Sequence, residues 1–419
     1  MLKNINNNLI LYFLPFILGI ASSFSLPPYN FFIINFITFP TLFIFFVLNY
    51  KKSKFFSFFI GWLFGFGYFM SNLYWITNSL KFDEIFSFLI PFTFFLIPAF
   101  FGIFYGTVTY LTSFFKLENN LSSLLIFSST FALIEFVRSF ILGGFPWNLI
   151  VYSLTDYINF IQILSFIGTY SLNLLSITFF TIPAVFFFNE KLIYKLLIGF
   201  ITLTLFTLNI YFGKTVINEF NNKNFSKLTT KIKIISPKIT MDRFFQNEDP
   251  YLIIEDLIEL SNPKDEEETL FIYPEGILTN IYLDDLVLYK KTFRENFSKN
   301  HKIIMGINSL SNKKIYNSLV LLDNELNILD QYNKNKLVPF GEYLPFENIF
   351  SKFGLKKITQ GYQSFSADDT RDVFEVDDVK FLPLICYEII YSGNLNKSKK
   401  KFNLIINISE DGWFGVSVG

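Results

Sequence analysis

The sequence predicts a multi-span α-helical membrane domain followed by a water-facing α/β domain, and three observations carry that prediction. Of the 419 residues, 51% are hydrophobic and 20% aromatic, with a mean hydropathy of +0.39, which is too apolar for an ordinary soluble chain. The apolar residues before residue 213 fall into stretches of roughly 18–25 residues, the length a helix needs to cross about 30 Å of hydrocarbon. After Lys214 charges become frequent, and short β-branched runs alternate with amphipathic helical patterns.

About seven spans are read in order: Leu9–Leu26, Phe31–Leu48, Phe55–Trp75, Phe86–Phe114, Leu121–Leu142, Phe166–Phe188 and Ile193–Phe212. The first is taken as retained, because it is long, lacks a small-residue cleavage site and is followed at once by more apolar sequence. Lys3, the cluster Lys51, Lys52 and Lys54, then Lys116, then Lys191 with Lys195 lie at the start and after every second span. The positive-inside rule places those loops in the cytoplasm and everything after Phe212 on the opposite side. The expected division is a membrane domain over 1–213, a linker over 214–229 and an extracytoplasmic α/β domain over 230–419. Within the last, strands are expected at Lys231–Ile235, Thr269–Tyr273, Lys302–Gly306, Asn317–Leu322, Ile328–Tyr332, Phe381–Ile385 and Phe402–Asn407. Helices are expected at Leu252–Leu260 and Asp285–Phe297.

Composition also excludes function classes. With 35 basic and 35 acidic residues the chain has no basic field for nucleic acid. One cysteine cannot form an intramolecular disulfide, and with one histidine it cannot build a structural zinc site of the usual kind. No Gly-rich phosphate loop stands out. The abundance of Phe, Ile, Asn and Lys runs through every segment and reads as a compositional bias.

Cys386 follows the apolar run Phe381–Ile385, so it should sit at the C-terminal end of a buried strand, where α/β folds place their sites. It is either a small buried hydrophobe or a nucleophile. His301, in Lys-Asn-His-Lys at the polar start of a strand, reads as a surface residue, which leaves a carboxylate as the base. Glu275, in Tyr-Pro-Glu-Gly after the strand ending at Tyr273, is the candidate, or else a turn carboxylate. Acyl transfer through a thiol also needs positive charge for the oxyanion. Lys334 offers it, before a Pro- and Gly-shaped turn carrying Glu342, whereas Lys336 reads as solvated.

Tyr-Pro-Glu at 275, Tyr-Asn-Lys at 334 and Ile-Cys-Tyr-Glu at 386 resemble the Glu, Lys, Cys triad of the carbon-nitrogen hydrolase (nitrilase) superfamily. Glu135–Asn148 in the membrane half, the run Tyr332–Pro345, the Ile-Cys-Tyr-Glu-Ile-Ile motif and Asp-Gly-Trp-Phe-Gly near the end are similar, in this order, to the bacterial apolipoprotein N-acyltransferase family. The resemblance implies a nitrilase-like α-β-β-α sandwich on the periplasmic side of the cytoplasmic membrane. It implies Glu275 as base, Lys334 as oxyanion stabiliser and Cys386 as nucleophile, supported by Glu342, Tyr387 and Glu388. Trp413 and Phe414 would contribute to an apolar lid, with Phe245 where the family often has tryptophan. Arg138 is either an interfacial anchor or a lipid head-group contact. Implied partners are a phospholipid acyl donor, a diacylated apolipoprotein acceptor and the bilayer, with neither cofactor nor metal, and a monomer is expected. Glu410 and Gly412 depart from the family's Asn and Ala in Asn-Asp-Ala-Trp-Phe-Gly. The family's final membrane helix and the end of the catalytic domain would follow Gly419, so the chain is expected to be a piece of a longer protein. A membrane-tethered amidase acting on small amides, and a transporter or receptor whose outer domain only binds ligand, are the competing readings.

Overall fold

A computed structural model describes residues 8–82, 84–237, 249–350, 352, 364–393, 395–396, 399–415 and 417. The chain divides into two compact units, one ending at Asn224 and the other Phe225–Gly415.

The first unit is helical: α1 (Asn8–Ser23), α2 (Asn35–Asn49), α3 (Lys54–Leu73), α4 (Ile90–Thr112), α5 (Leu121–Arg138), the short α6 (Ile158–Ile161), α7 (Leu164–Thr181) and α8 (Leu192–Asn221). Among the described residues six helices are long and apolar enough to cross a membrane, from Phe32–Asn49 to Leu192–Asn221, with a shorter apolar helix at Tyr12–Ser23. This is a multi-pass membrane protein. The helix starts are legible locally: Ser53 caps α3 by accepting from Phe56 N (3.0 Å), and Asn120 caps α5 by accepting from Ser123 N (2.9 Å). Lipid supplies no hydrophobic force between helices, so close packing through small residues must do that work. A Cβ on Gly61 of α3 would lie 2.1 Å from Tyr105 O on α4, and one on Gly67 would lie 2.3 Å from Phe16 O on α1.

Arg138 corrects the expectation of an anchor or head-group contact. It is only 1% exposed; its Nη1 donates to the carbonyls of Phe145 (2.6 Å) and Trp147 (2.8 Å), and its Nη2 lies 3.5 Å from Glu135 Oε1. Glu135 accepts from Tyr105 Oη at 2.7 Å and from the Asn173 amide. A charge without water is tolerated inside a bundle only when paired, so the two ions one helical turn apart on α5 bury each other and pin the Phe145–Trp147 turn.

The second unit contains two sheets. In the first, β1 (Lys231–Ile234), β2 (Thr269–Ile272) and β4 (His301–Ser311) run parallel, β3 (Leu278–Tyr282) pairs with β4, and β5 (Lys314–Asp323) and β6 (Ile328–Asn333) continue antiparallel. The second holds β7 (Phe374–Val376) antiparallel to β8 (Val379–Ile385), and β8 parallel to β9 (Leu404–Ile408). Strand alternation sorts the core. Phe271, Ile303, Met305 and Val320 face α9 (Pro250–Ser261) and α10 (Lys290–Asn296), while Leu270, Ile304, Leu319 and Leu321 face Phe381 and Ile385 of the other sheet. The layers are therefore helix, sheet, sheet. The span expected to end at Phe212 continues as helix to Asn221. β3 and β7 were not expected, and the helix expected over Asp285–Phe297 is a 3-10 segment, Leu283–Tyr289, followed by α10. His301 is not a surface residue but fully buried: Ser298 N donates to its Nδ1 (3.0 Å), leaving Nε2 to donate to Lys264 O (3.0 Å).

The contact at Gly61 generates a prediction. Gly61→Val should force α3 from α4 and cost roughly 1–3 kcal/mol, read as a lower thermal midpoint in detergent, while Gly199→Val, where a Cβ meets nothing within 4 Å, should leave the midpoint unchanged.

Candidate active site

Each chemical side chain leaves the end of a strand. β8 ends at Ile385, and Cys386 turns the chain with φ +52° into the 3-10 segment Cys386–Ile390. A non-glycine residue there is strained and needs outside support. Glu388, fully buried, supplies it. Its carboxylate accepts from Ile385 N (3.0 Å), Asn335 N (2.9 Å) and Lys336 N (3.0 Å). Tyr332 Oη lies 2.7 Å from both of its oxygens, and Arg371 Nη2 is 2.6 Å from Oε1. One carboxylate thus ties the Cys386 turn to the loop carrying Lys334. Burial, then the Glu388 charge, holds the Tyr332 hydroxyl far above the usual phenol range, so it stays a donor.

β2 ends before Tyr273-Pro274-Glu275, and Gly276 with φ +57° turns the chain away. This turn packs directly on β4: a Cβ on Gly306 would lie 2.6 Å from Glu275 Cα and 2.8 Å from Pro274 O. Lys334, 1% exposed, follows β6 and places its Nζ 3.2 Å from Glu275 Oε1 and 3.0 Å from Glu342 Oε1. Asn317 Nδ2 donates to the same two carboxylates, at 2.7 and 2.8 Å. Glu410 N donates to Glu275 Oε2 (3.2 Å), and Val338 N to Glu342 Oε2 (2.8 Å).

The electrostatics follow from this packing. Burial, only partly offset by Lys334, raises the Glu275 pKa above the usual carboxylate value, and the Glu342 charge adds to the rise. Burial alone would lower Lys334, but Glu275 and Glu342 overcome it and hold the ammonium well above the usual lysine range. Burial and then the Glu275 charge push the Cys386 thiol up to about 12, against the pull of Lys334. The site holds a neutral thiol, two carboxylates and a fixed cation, which is the equipment for base-assisted nucleophilic attack on a carbonyl.

Glu275, Lys334, Glu342 and Cys386 are brought into one cluster, with Tyr387 and Glu388 on the turn behind the thiol. Tyr387 is half-buried, its ring edge-on to Tyr391 at 5.4 Å. Trp413 and Phe414 are half-buried on the 3-10 turn Asp411–Phe414 after β9, where the Glu410 side chain accepts from Gly412 N (2.9 Å). Arg138 belongs to the helical unit, and Phe245 lies outside the described residues. Lys336 is exposed. Sequence reasoning missed Asn317, Tyr332, Arg371 and Gly306; a lone glycine inside an apolar strand was the available signal for the last. No group of His, Cys, Asp or Glu that could hold a metal exists among the described residues.

Residues 296–419 match the family described as Carbon-nitrogen hydrolase, so the second unit is a nitrilase-type α/β fold joined to a helical membrane region. Residues 18–182 match the family described as Apolipoprotein N-acyltransferase N-terminal domain. Over 96% of this chain, the Apolipoprotein N-acyltransferase of Rickettsia prowazekii is 32% identical, with 80% of its own length covered. That of Brucella melitensis is 27% identical over 96% of this chain and 79% of its own. The chain belongs to the apolipoprotein N-acyltransferase family.

Two outcomes are expected from this geometry. Glu388→Ala leaves the Arg371 cation buried and unpaired and should cost roughly 3–5 kcal/mol, measured by thermal unfolding in detergent. Alkylation of Cys386 by iodoacetamide should be slower than that of a free thiol at neutral pH and keep rising with pH toward about 12, because the thiolate is the reacting form.

Proposed function

We propose that this protein transfers the sn-1 acyl chain of a phospholipid, through a thioester on Cys386, to the α-amino group of an N-terminal diacylglyceryl-cysteine. The buried cluster of Glu275, Lys334 and Glu342 beside Cys386, in a chain of this family with a multi-pass membrane half, is the observation that carries the reading. As Sγ attacks the ester carbonyl carbon, Glu275 takes the thiol proton and the carbonyl oxygen becomes an oxyanion beside Lys334. Collapse breaks the ester C–O bond, and the departing lysophospholipid oxygen takes the proton from Glu275. The acceptor amine then attacks the thioester and the C–S bond breaks. Glu275 passes the amine's proton to the leaving sulfur, and an amide remains.

Glu342 and Asn317 keep Lys334 and Glu275 aligned, and Tyr387 and Glu388 support the turn behind the thiol. Trp413 and Phe414, with Phe245, are assigned to an apolar lid that favours amine over water. The lysine-rich loops assign the catalytic domain, residues 230–419, to the periplasmic side of a bacterial cytoplasmic membrane. The protein is proposed to act as a monomer without a cofactor.

The test incubates the protein in detergent with phospholipid and a diacylated lipopeptide and reads intact mass. The parent should gain one acyl chain, lose it to the peptide's amino group, and do neither as Cys386→Ala; ammonia release from small amides without an acyl-enzyme would instead favour the tethered amidase. Lys334→Met should slow acyl-enzyme formation roughly 10²–10³-fold. Acylation should fall on the acid side at a higher pH than an ordinary carboxylate would give, since Glu275 is a base only above its raised pKa. No fall from Lys334 should occur near neutrality, its pKa being raised too.

A further inference from the structure

Arg371 is the one cation within ion-pair distance of Glu388 among the described residues, and neither the fold nor the proposed chemistry has yet required it. It lies in a stretch without regular structure, 364–373, that is laid along the catalytic loop. Phe365 N donates to Glu342 O (2.9 Å), Asp368 N to Lys334 O (3.2 Å), and Asn333 Nδ2 to Asp368 Oδ2 (3.1 Å). The Asn335 amide donates to the Asp368 and Thr370 carbonyls. Arg371 then turns inward, nearly buried. Its Nε donates to Tyr332 Oη (3.0 Å) and its Nη1 to Leu395 O (3.2 Å), while Nη2 meets Glu388. The guanidinium carbon sits 5.0 Å from the Tyr332 ring centre.

We propose that Arg371 is a positioning residue that holds the Glu388 carboxylate in place, and so fixes Lys334 relative to the Cys386 sulfur. The proposal rests on the acyl-transfer reading for its kinetic consequence, though not for its geometric one. Glu388 grips Ile385 N on the thiol side and Asn335 N and Lys336 N on the lysine side, and a buried carboxylate keeps such grips only while a counter-charge compensates it. Arginine suits this place because its planar fork reaches Glu388, Tyr332 and the Leu395 carbonyl at once, which the point charge of lysine cannot.

The experiment compares the parent with Arg371→Gln and Arg371→Lys in detergent, reading acyl-enzyme formation by intact mass, the alkylation rate of Cys386, and thermal midpoint. Arg371→Gln should slow acyl-enzyme formation roughly 10- to 100-fold with phospholipid KM little changed. It should also slow alkylation, because Lys334 no longer stabilises the thiolate. Arg371→Lys should recover part of both rates, and if the Gln variant does not fold, the partial loss of both rates in a folded Lys variant carries the same comparison. Parent-like acylation and alkylation in a folded Arg371→Gln overturn the proposal, as does a loss confined to KM or to thermal midpoint. A parent that never acylates defeats the acyl-transfer reading alone, since alkylation still reports whether Arg371 governs the thiol.

Discussion

Lys334 carries a full positive charge into a position with almost no access to water. An ammonium desolvated alone would lose its proton, whereas here two carboxylates, Glu275 and Glu342, share it. That arrangement leaves the cluster one negative charge in excess; burial raises the Glu275 pKa with the Glu342 charge adding to it, and burial and then the Glu275 charge push the Cys386 thiol up. In the proposed reaction the excess moves without growing. Glu275 becomes neutral as it takes the thiol proton, the negative charge reappears on the substrate oxyanion, and Lys334 changes partner. No new charge is created in a buried site, and the reorganisation that water would demand is avoided.

Holding three groups from separate strand ends to that arrangement is a demand on the sheets. β2, β6 and β8 deliver Glu275, Lys334 and Cys386 to one rim, and the close approach at Gly306 and the carboxylate of Glu388 fix the remaining freedom. The helical unit uses the same physics for another purpose. Glu135 and Arg138 neutralise each other where neither meets solvent and spend their remaining hydrogen bonds on Tyr105, Asn173 and the Phe145–Trp147 turn.

Legibility in the sequence followed burial. Strands covered on both faces write continuous apolar runs, so Thr269–Ile272 and the strand before Cys386 could be read, and with them the strand-end positions of Glu275 and Cys386. β7 is three residues long and β3 starts directly after a Pro-Glu-Gly turn, so neither contains enough of a period to detect. His301 misled because its neighbours are polar, although its ring packs edge-on to Phe271 and Phe297 and both nitrogens bond to backbone. Arg138 misled because one cation near a helix end looks interfacial until Glu135 is seen beside it. Arg371 sits in irregular chain, where no periodicity marks which charged side chain turns inward.

The upward shift of the Cys386 thiol bears on how the protein endures, apart from what it catalyses. Thiolates, not thiols, attack peroxides and disulfides, and a buried thiol with Glu275 beside it is almost entirely protonated at rest. The 419 residues contain no second cysteine that could rescue it as an internal disulfide. In oxidising surroundings, a lone thiol kept neutral by its burial is protected by chemical inertness.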